Sequence, residues 1–228
     1  QTCALPIWAQ ADPARARERE IFREMIEVNT SDSAGNTGLL AGRVAERLRA
    51  AGFAAADITI LGYEPKFQSL VARYRGRNPG RKPVMLMAHL DVVAARREDW
   101  SFDPFGFREI DGYYYGRGTT DNKAGAATLV ANFIRLKQEH FVPDRDLIMV
   151  LTADEETTGK SITWLMQEHR ALIDAEYALN TDGGGGALKD GKPQAFTVQT
   201  AEKIFLNLQL DVRNKGGHSS VQIGRAHV

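Results

Sequence analysis

Apolar positions in this chain recur with two periods. Between residues 14 and 28, Ile21, Phe22, Met25, Ile26 and Val28 share one helical face, and Asp12-Pro13 just before them reads as an N-cap followed by a first helical position. Leu40, Val44 and Leu48 recur at four-residue spacing in a second helix, Leu39 to Ala51, which Gly52 stops. An Ala-rich helix runs from about Lys123 through Leu136, carrying Leu129, Val130, Phe133 and Ile134, and Ile162 to His169 suggests a fourth. Short apolar runs stand between the helices: Ile58 to Leu61, Ser69 to Tyr74, Val84 to Asp91, Leu147 to Thr152 and Tyr177 to Asn180. Strands alternating with helices predict an α/β domain with a largely parallel sheet. Ala195 to Gln199 and Ile204 to Val212 differ, the latter alternating apolar and polar positions as a half-exposed antiparallel strand does. A new sheet and a second domain are therefore expected from about residue 200. Ala94 to Gly112 reads as irregular; its Trp100, Phe102, Phe105 and Phe107 either wall a pocket or pack over the sheet edge.

Composition narrows the function classes. The 228 residues carry 29 Lys+Arg against 29 Asp+Glu, which gives no reason to expect nucleic acid or an anionic membrane as partner. No apolar run approaches the roughly 20 residues of a membrane-spanning helix. With Cys3 the single cysteine, neither an internal disulfide nor a thiolate zinc cluster can form.

The two ends are unusual. Gln1 to Ile7 can be encoded by CAG ACG TGT GCT CTT CCG ATC, and Ile223 to Val228 by ATC GGA AGA GCA CAC GTC. The reverse complement of the second, in a shifted frame, reproduces almost all of the first. The hypothesis is that residues 1–8 and 222–228 are translated sequencing adapter, flanking a natural segment open at both sides; these end codons in the genomic locus would contradict it. Residues 9–199 are then one incomplete domain and 200–221 the beginning of another. Trp8-Ala9-Gln10-Ala11 resembles the end of a secretory signal, which leans toward a periplasmic or secreted protein over a cytoplasmic one.

The chemistry sits where apolar strands end. They close on His89-Leu90-Asp91, on Thr152-Ala153-Asp154-Glu155-Glu156 and on Asn180-Thr181-Asp182, while Asp121 occupies the Gly-rich turn before the Ala-rich helix. Residues two apart on a strand share a face, so His89 and Asp91 can both look into one site. In a parallel sheet all these groups lie at one edge, where open α/β sheets keep their ligand crevices. Converging carboxylates repel one another, and a cation is the economical remedy; carboxylates plus an imidazole without thiolate suit Zn²⁺, Co²⁺ or Mn²⁺. Taken singly, each group has a plainer reading: a structural histidine, an N-cap at Asp121, solvated charge at Glu155-Glu156, and a flexible turn at Asp182 and the four glycines after it.

The ordered set His89-x-Asp91, Gly116-Arg-Gly-Thr-Thr-Asp121-Asn-Lys, Asp154-Glu155-Glu156 and Asn180-Thr-Asp182-Gly-Gly-Gly resembles the M20 metallopeptidases, over residues 13 to 221. That group includes glutamate carboxypeptidases, desuccinylases, deacetylases, aminoacylases and dipeptidases. The resemblance implies a three-layer α/β/α catalytic domain followed by a small α+β lid, which also serves dimerisation. It implies two zinc-like ions, bridged by Asp121, with His89 and Asp182 completing one ligand set and Glu156 binding the other ion. Glu155 would be the general base, and Asp91 would orient the His89 ring through its other nitrogen. Gly216-Gly217-His218-Ser219-Ser220 resembles the lid motif whose histidine binds substrate. The implied reaction is hydrolysis of a peptide or N-acyl amide in a small substrate with a free carboxylate. One ligand of the family, a downstream histidine, has no counterpart among His140, His169, His218 and His227; the chain is expected to end before it, and these 228 residues alone to hold metal weakly. The alternatives are a di-metal aminopeptidase on a related fold and a metal-binding relative without turnover. A phosphate cradle at Gly183 to Gly186 has little support, because no Lys-Ser/Thr follows at P-loop spacing.

Overall fold

A computed structural model describes residues 12–201, 206 and 208–211. The chain divides into two compact units, Gln1–Gly185 and Gly186–Val228.

The first unit begins with α1 (Pro13–Ile26), where the Asp12 carboxylate accepts the Ala14 N–H at 2.9 Å and Pro13 supplies the pre-set first turn. Helix α2 (Thr37–Ala50) buries Leu40, Ala41, Val44, Ala45 and Leu48, and ends where Gly52, at φ +95°, turns the chain so that the Phe53 N–H reaches Leu48 O at 3.1 Å. The strands β1 (Ile58–Glu64), β2 (Phe67–Tyr74), β3 (Val84–His89), β6 (Leu147–Thr152) and β7 (Tyr177–Asn180) form one sheet in the order β1-β2-β6-β3-β7.

Strand β6 explains the layering. Its alternate residues enter different cores, Met149 and Leu151 the larger one and Ile148 and Val150 the smaller, as a strand buried on both faces requires. The larger core joins the sheet to α1, α2 and α3 (Lys123–Gln138); the smaller joins it to α4 (Lys160–Glu168) and α5 (Arg170–Ile173). The result is the expected three-layer α/β/α arrangement. None of the helices among the described residues is long and apolar enough to cross a membrane.

Only the β6-β3-β7 part of the sheet is parallel; β1 and β2 form an antiparallel hairpin, and β2 also runs antiparallel to β6. The parallel part sets the site. His89 pairs with Thr152 and Met87 with Asn180, while Leu90 N–H bonds Thr152 O at 2.8 Å and Thr181 N–H bonds Met87 O at 3.0 Å. β3 and β6 thus end level and β7 within two residues of them, and the loops that follow leave from a common edge.

Two hairpins stand where irregular chain and a plain turn after Asp182 were expected, the second taking in part of the run Ala195 to Gln199 that was read as opening a new sheet. Strands β4 (Arg108–Ile110) and β5 (Tyr113–Tyr115) are joined by Asp111-Gly112 at φ +50° and +79°. In the second unit, β8 (Gly185–Lys189) and β9 (Lys192–Thr197) are joined by Asp190-Gly191 at φ +51° and +72°. Both are two-residue Asp-Gly turns, whose left-handed dihedrals match the twist of a hairpin. The strand expected over Ile204 to Val212 falls largely outside the described residues.

Candidate metal centre

His89 is the last residue of β3, and its side chain is buried to 2% exposure. Its Nδ1 lies 3.0 Å from the main-chain oxygen of Asp91 and 3.4 Å from that residue's Oδ1. Its Nε2 points into the loops: 2.9 Å from Asp121 Oδ1, 3.5 Å from Asp182 Oδ2 and 3.9 Å from Glu155 Oε2. Two sets of potential ligands result, His89 with Asp121 and Glu156, and His89 with Glu155 and Asp182, the ligand atoms of each lying within 4.8 Å of one another. The residues singled out at the strand ends therefore converge around one imidazole edge. His218 lies outside the described residues.

Asp91 also reaches the turn that follows β6. Although buried beside His89, it accepts the Glu155 N–H on Oδ1 at 3.1 Å and the Glu156 N–H on Oδ2 at 2.9 Å. Its carboxylate fixes the backbone of the turn that follows β6, a contact its spacing from His89 gave no hint of. Adjacent residues on a strand point apart; held in a turn, Glu155 and Glu156 can serve the same site.

Further ties join the loops to one another. The Thr181 hydroxyl lies 2.9 Å from Asn122 Oδ1 and 3.1 Å from Met87 O, so the neighbours of Asp121 and Asp182 are bonded directly. A side chain at Gly125 would collide with Thr181 and Asn122; glycine lets the start of α3 approach β7 that closely. Fully buried Lys123 donates to Val28 O at 2.8 Å, and the Thr30 hydroxyl to Leu90 O at 2.7 Å, tying the segment after α1 to the same edge. Burial pushes the Lys123 ammonium down to about 7, against the pull of Asp91. A cleft of about 100 Å³ opens beside His89, Glu155 and Asp182, lined also by Met87, Thr152 and Ile162.

The charges suit a cation. Among the described residues, no lysine or arginine forms an ion pair with Asp121, Glu155, Glu156 or Asp182. Burial raises the pKa of Glu155, Asp182, Asp91 and Asp121 raise it further, and His89 opposes them. Burial likewise raises Glu156, helped by Asp121, Glu155 and Asp91 and opposed by His89. Burial disfavours charge on His89, yet the Asp91 hydrogen bond and the charges of Asp91 and Asp182, with Asp121, outweigh it and carry the imidazole up to about 9. A divalent ion would relieve the repulsion among the acids and take the place of the His89 proton. The donor set, one imidazole and four carboxylates, fits Zn²⁺, Co²⁺ or Mn²⁺.

A pH dependence follows, with a definite sign. With the His89 imidazole carried up to about 9, a metal ion binding there would have to displace its proton, so apparent affinity should climb by up to about tenfold per pH unit between pH 6 and 8 and level off near pH 9. Calorimetric titration of the full-length protein with Zn²⁺ at several pH values, in buffers of different ionisation enthalpy, would read both the slope and the protons released. An affinity independent of pH would contradict this.

An α/β/α domain with carboxylates and an imidazole gathered at the carboxyl ends of its parallel strands is the class of molecule defined so far. The sequence profile of peptidase family M20/M25/M40 matches residues 85–214, and the chain belongs to that family. It is 36% identical over 154 residues to the N-fatty-acyl-amino acid synthase/hydrolase PM20D1 of Homo sapiens, covering 64% of this chain and 30% of that one. It is 30% identical over 202 residues to aminoacylase-1 of Sus scrofa, covering 88% and 48% respectively. The chain thus spans between about a third and about half of these relatives. In fold it matches the crystal structure of human carnosine dipeptidase 1 with a TM-score of 0.60 at 19% identity, over 76% of this chain and 41% of that one.

Proposed function

We propose that the protein is a metal-dependent hydrolase of peptide or N-acyl amide bonds in small substrates bearing a free carboxylate. The observation that carries this reading is the convergence of Asp121, Glu155, Glu156 and Asp182 around His89 Nε2, with no lysine or arginine among the described residues paired to them. Two relatives are named for N-acyl amino acids, which ranks that substrate class ahead of dipeptides.

In this reading His89, Asp121, Glu156 and Asp182 would hold two divalent ions, Asp121 serving as a ligand common to both. When bound, such ions lower the pKa of a water and polarise the scissile carbonyl. Glu155 takes the proton of the attacking water and returns it to the leaving amine. Its carboxylate is half exposed while its main-chain N–H is held by Asp91, so the base reaches outward from a fixed backbone. Asp91 serves two elements, the His89 ring and the Glu155-Glu156 turn. His218 is assigned to substrate binding from a lid, and a homodimer through that lid completes the proposal.

The test is a panel of N-acyl amino acids and dipeptides offered to the full-length protein before and after chelation. Turnover should disappear with the metal and return on adding Zn²⁺, Co²⁺ or Mn²⁺. Hydrolysis that persists in the metal-free protein would exclude this mechanism.

A further inference from the structure

Asp154 opens the acidic run yet belongs to neither set of potential ligands. It is 1% exposed, and a carboxylate so buried must have its lone pairs occupied. Oδ2 accepts from the Tyr63 hydroxyl at 2.8 Å, the Thr158 hydroxyl at 2.5 Å and Lys160 N–H at 3.0 Å. Oδ1 accepts from Ser161 N–H at 3.0 Å. The Asp154 main-chain oxygen also accepts the N–H groups of Thr157, Thr158 and Gly159 at 3.3, 3.1 and 2.8 Å. Helix α4 has no side-chain cap from its own N-cap, Gly159; Asp154 supplies that cap from six residues upstream of the helix. Its partner Tyr63 comes from another part of the fold, beside the irregularity in β1 between Leu61 and Glu64, with its ring stacked on Phe67 at 5.3 Å.

The Glu155-Glu156 turn is thereby gripped on two sides. Asp91 holds the N–H groups of Glu155 and Glu156, and Asp154, immediately before them, is locked to β1 and to the start of α4. The Glu155 side chain, 54% exposed, is the part left free. We propose that Tyr63 and Asp154 are positioning residues for the base: the Tyr63–Asp154 hydrogen bond fixes the chain entering the turn and so sets where the Glu155 carboxylate stands relative to the attacked carbonyl. This rests on Glu155 being the general base. It assigns a role in turnover to Tyr63, a residue on the antiparallel hairpin, outside the strand ends that carry the ligands.

Tyr63→Phe removes one hydroxyl from a partly exposed ring and leaves Asp154 its other donors, so the fold and the metal site should persist. Asp154→Asn turns an amide NH₂ or a lone acceptor toward donors and should act more strongly. In the full-length, metal-loaded protein, with the best N-acyl amino acid of the substrate panel, kcat per bound metal should fall about tenfold in Tyr63→Phe and further in Asp154→Asn, while KM stays within about twofold. Metal content should stay that of the unaltered protein. A purely structural tyrosine would lower the melting temperature and leave kcat per bound metal unchanged; that result overturns the proposal. Should Asp154→Asn fail to fold, Tyr63→Phe decides alone. Glu155→Gln is measured beside them: if it is inactive and Tyr63→Phe is normal, only this inference falls, and if Glu155→Gln turns over normally, the general-base reading falls with it.

Discussion

Replacing Glu155 with glutamine is expected to reduce hydrolysis by at least about a hundredfold while leaving the metal content unchanged. General acid–base groups contribute about 10²- to 10⁴-fold, and an amide of the same size cannot take a proton from water. The substitution should be silent structurally, because what holds residue 155 is its main-chain N–H on Asp91, which the change does not touch. It also removes one of several mutually repelling acids, whose proximity to Asp182, Asp91 and Asp121 helps burial to raise the Glu155 pKa. The variant should therefore fold at least as well as the unaltered protein. Turnover within a few fold of normal would remove Glu155 from the chemistry.

Asp121→Asn should give the complementary result, loss of metal together with loss of turnover. Asp121 Oδ1 is the acid oxygen nearest His89 Nε2, at 2.9 Å, and Asp121 completes the set that contains Glu156. An asparagine there withdraws a charge and a ligand oxygen from the position shared by both ions in the proposed site. Bound metal should drop from two ions per chain to well below one, and activity by at least about a hundredfold. Glu155→Gln and Asp121→Asn thus separate the two jobs of the acidic cluster. The first leaves a loaded, idle site, and the second an empty one. If Asp121→Asn kept both ions, the bridging assignment would be wrong.

Much of this was legible in the chain itself, for identifiable reasons. Leu147 to Thr152 and Tyr177 to Asn180 are strands with the bounds their apolar runs suggest; the first is buried on both faces, which leaves no polar break within it, whereas the second, read from its apolar residues as buried, is exposed along its length at the end of the sheet order. The convergence of His89, Asp121, Glu155, Glu156 and Asp182 was legible because parallel strands in register bring their ends level. The antiparallel edge was not, since a strand's own residues do not state the direction of its partner. The two-residue link Pro65-Lys66, with Glu64 paired to Phe67, was the clue available. Asp111-Gly112 and Asp190-Gly191 likewise carried hairpin signals, masked by dense aromatics in one case and by a run of glycines in the other. Asp91 on the Glu155-Glu156 backbone, Asn122 with Thr181, and Tyr63 with Asp154 arise from residues between 59 and 91 positions apart. No local pattern encodes such contacts; they exist only once the sheet has ordered its strands.

As proposed, this strand-end cluster is a two-cation site. Its most direct test is the number of ions bound per chain, counted by elemental analysis after equilibrium dialysis of the full-length protein against Zn²⁺. Two ions per chain are expected in the unaltered protein and in Glu155→Gln, and well below one in Asp121→Asn. One ion or none in the unaltered protein, or an Asp121→Asn variant that binds like it, would exclude a two-cation site bridged by Asp121.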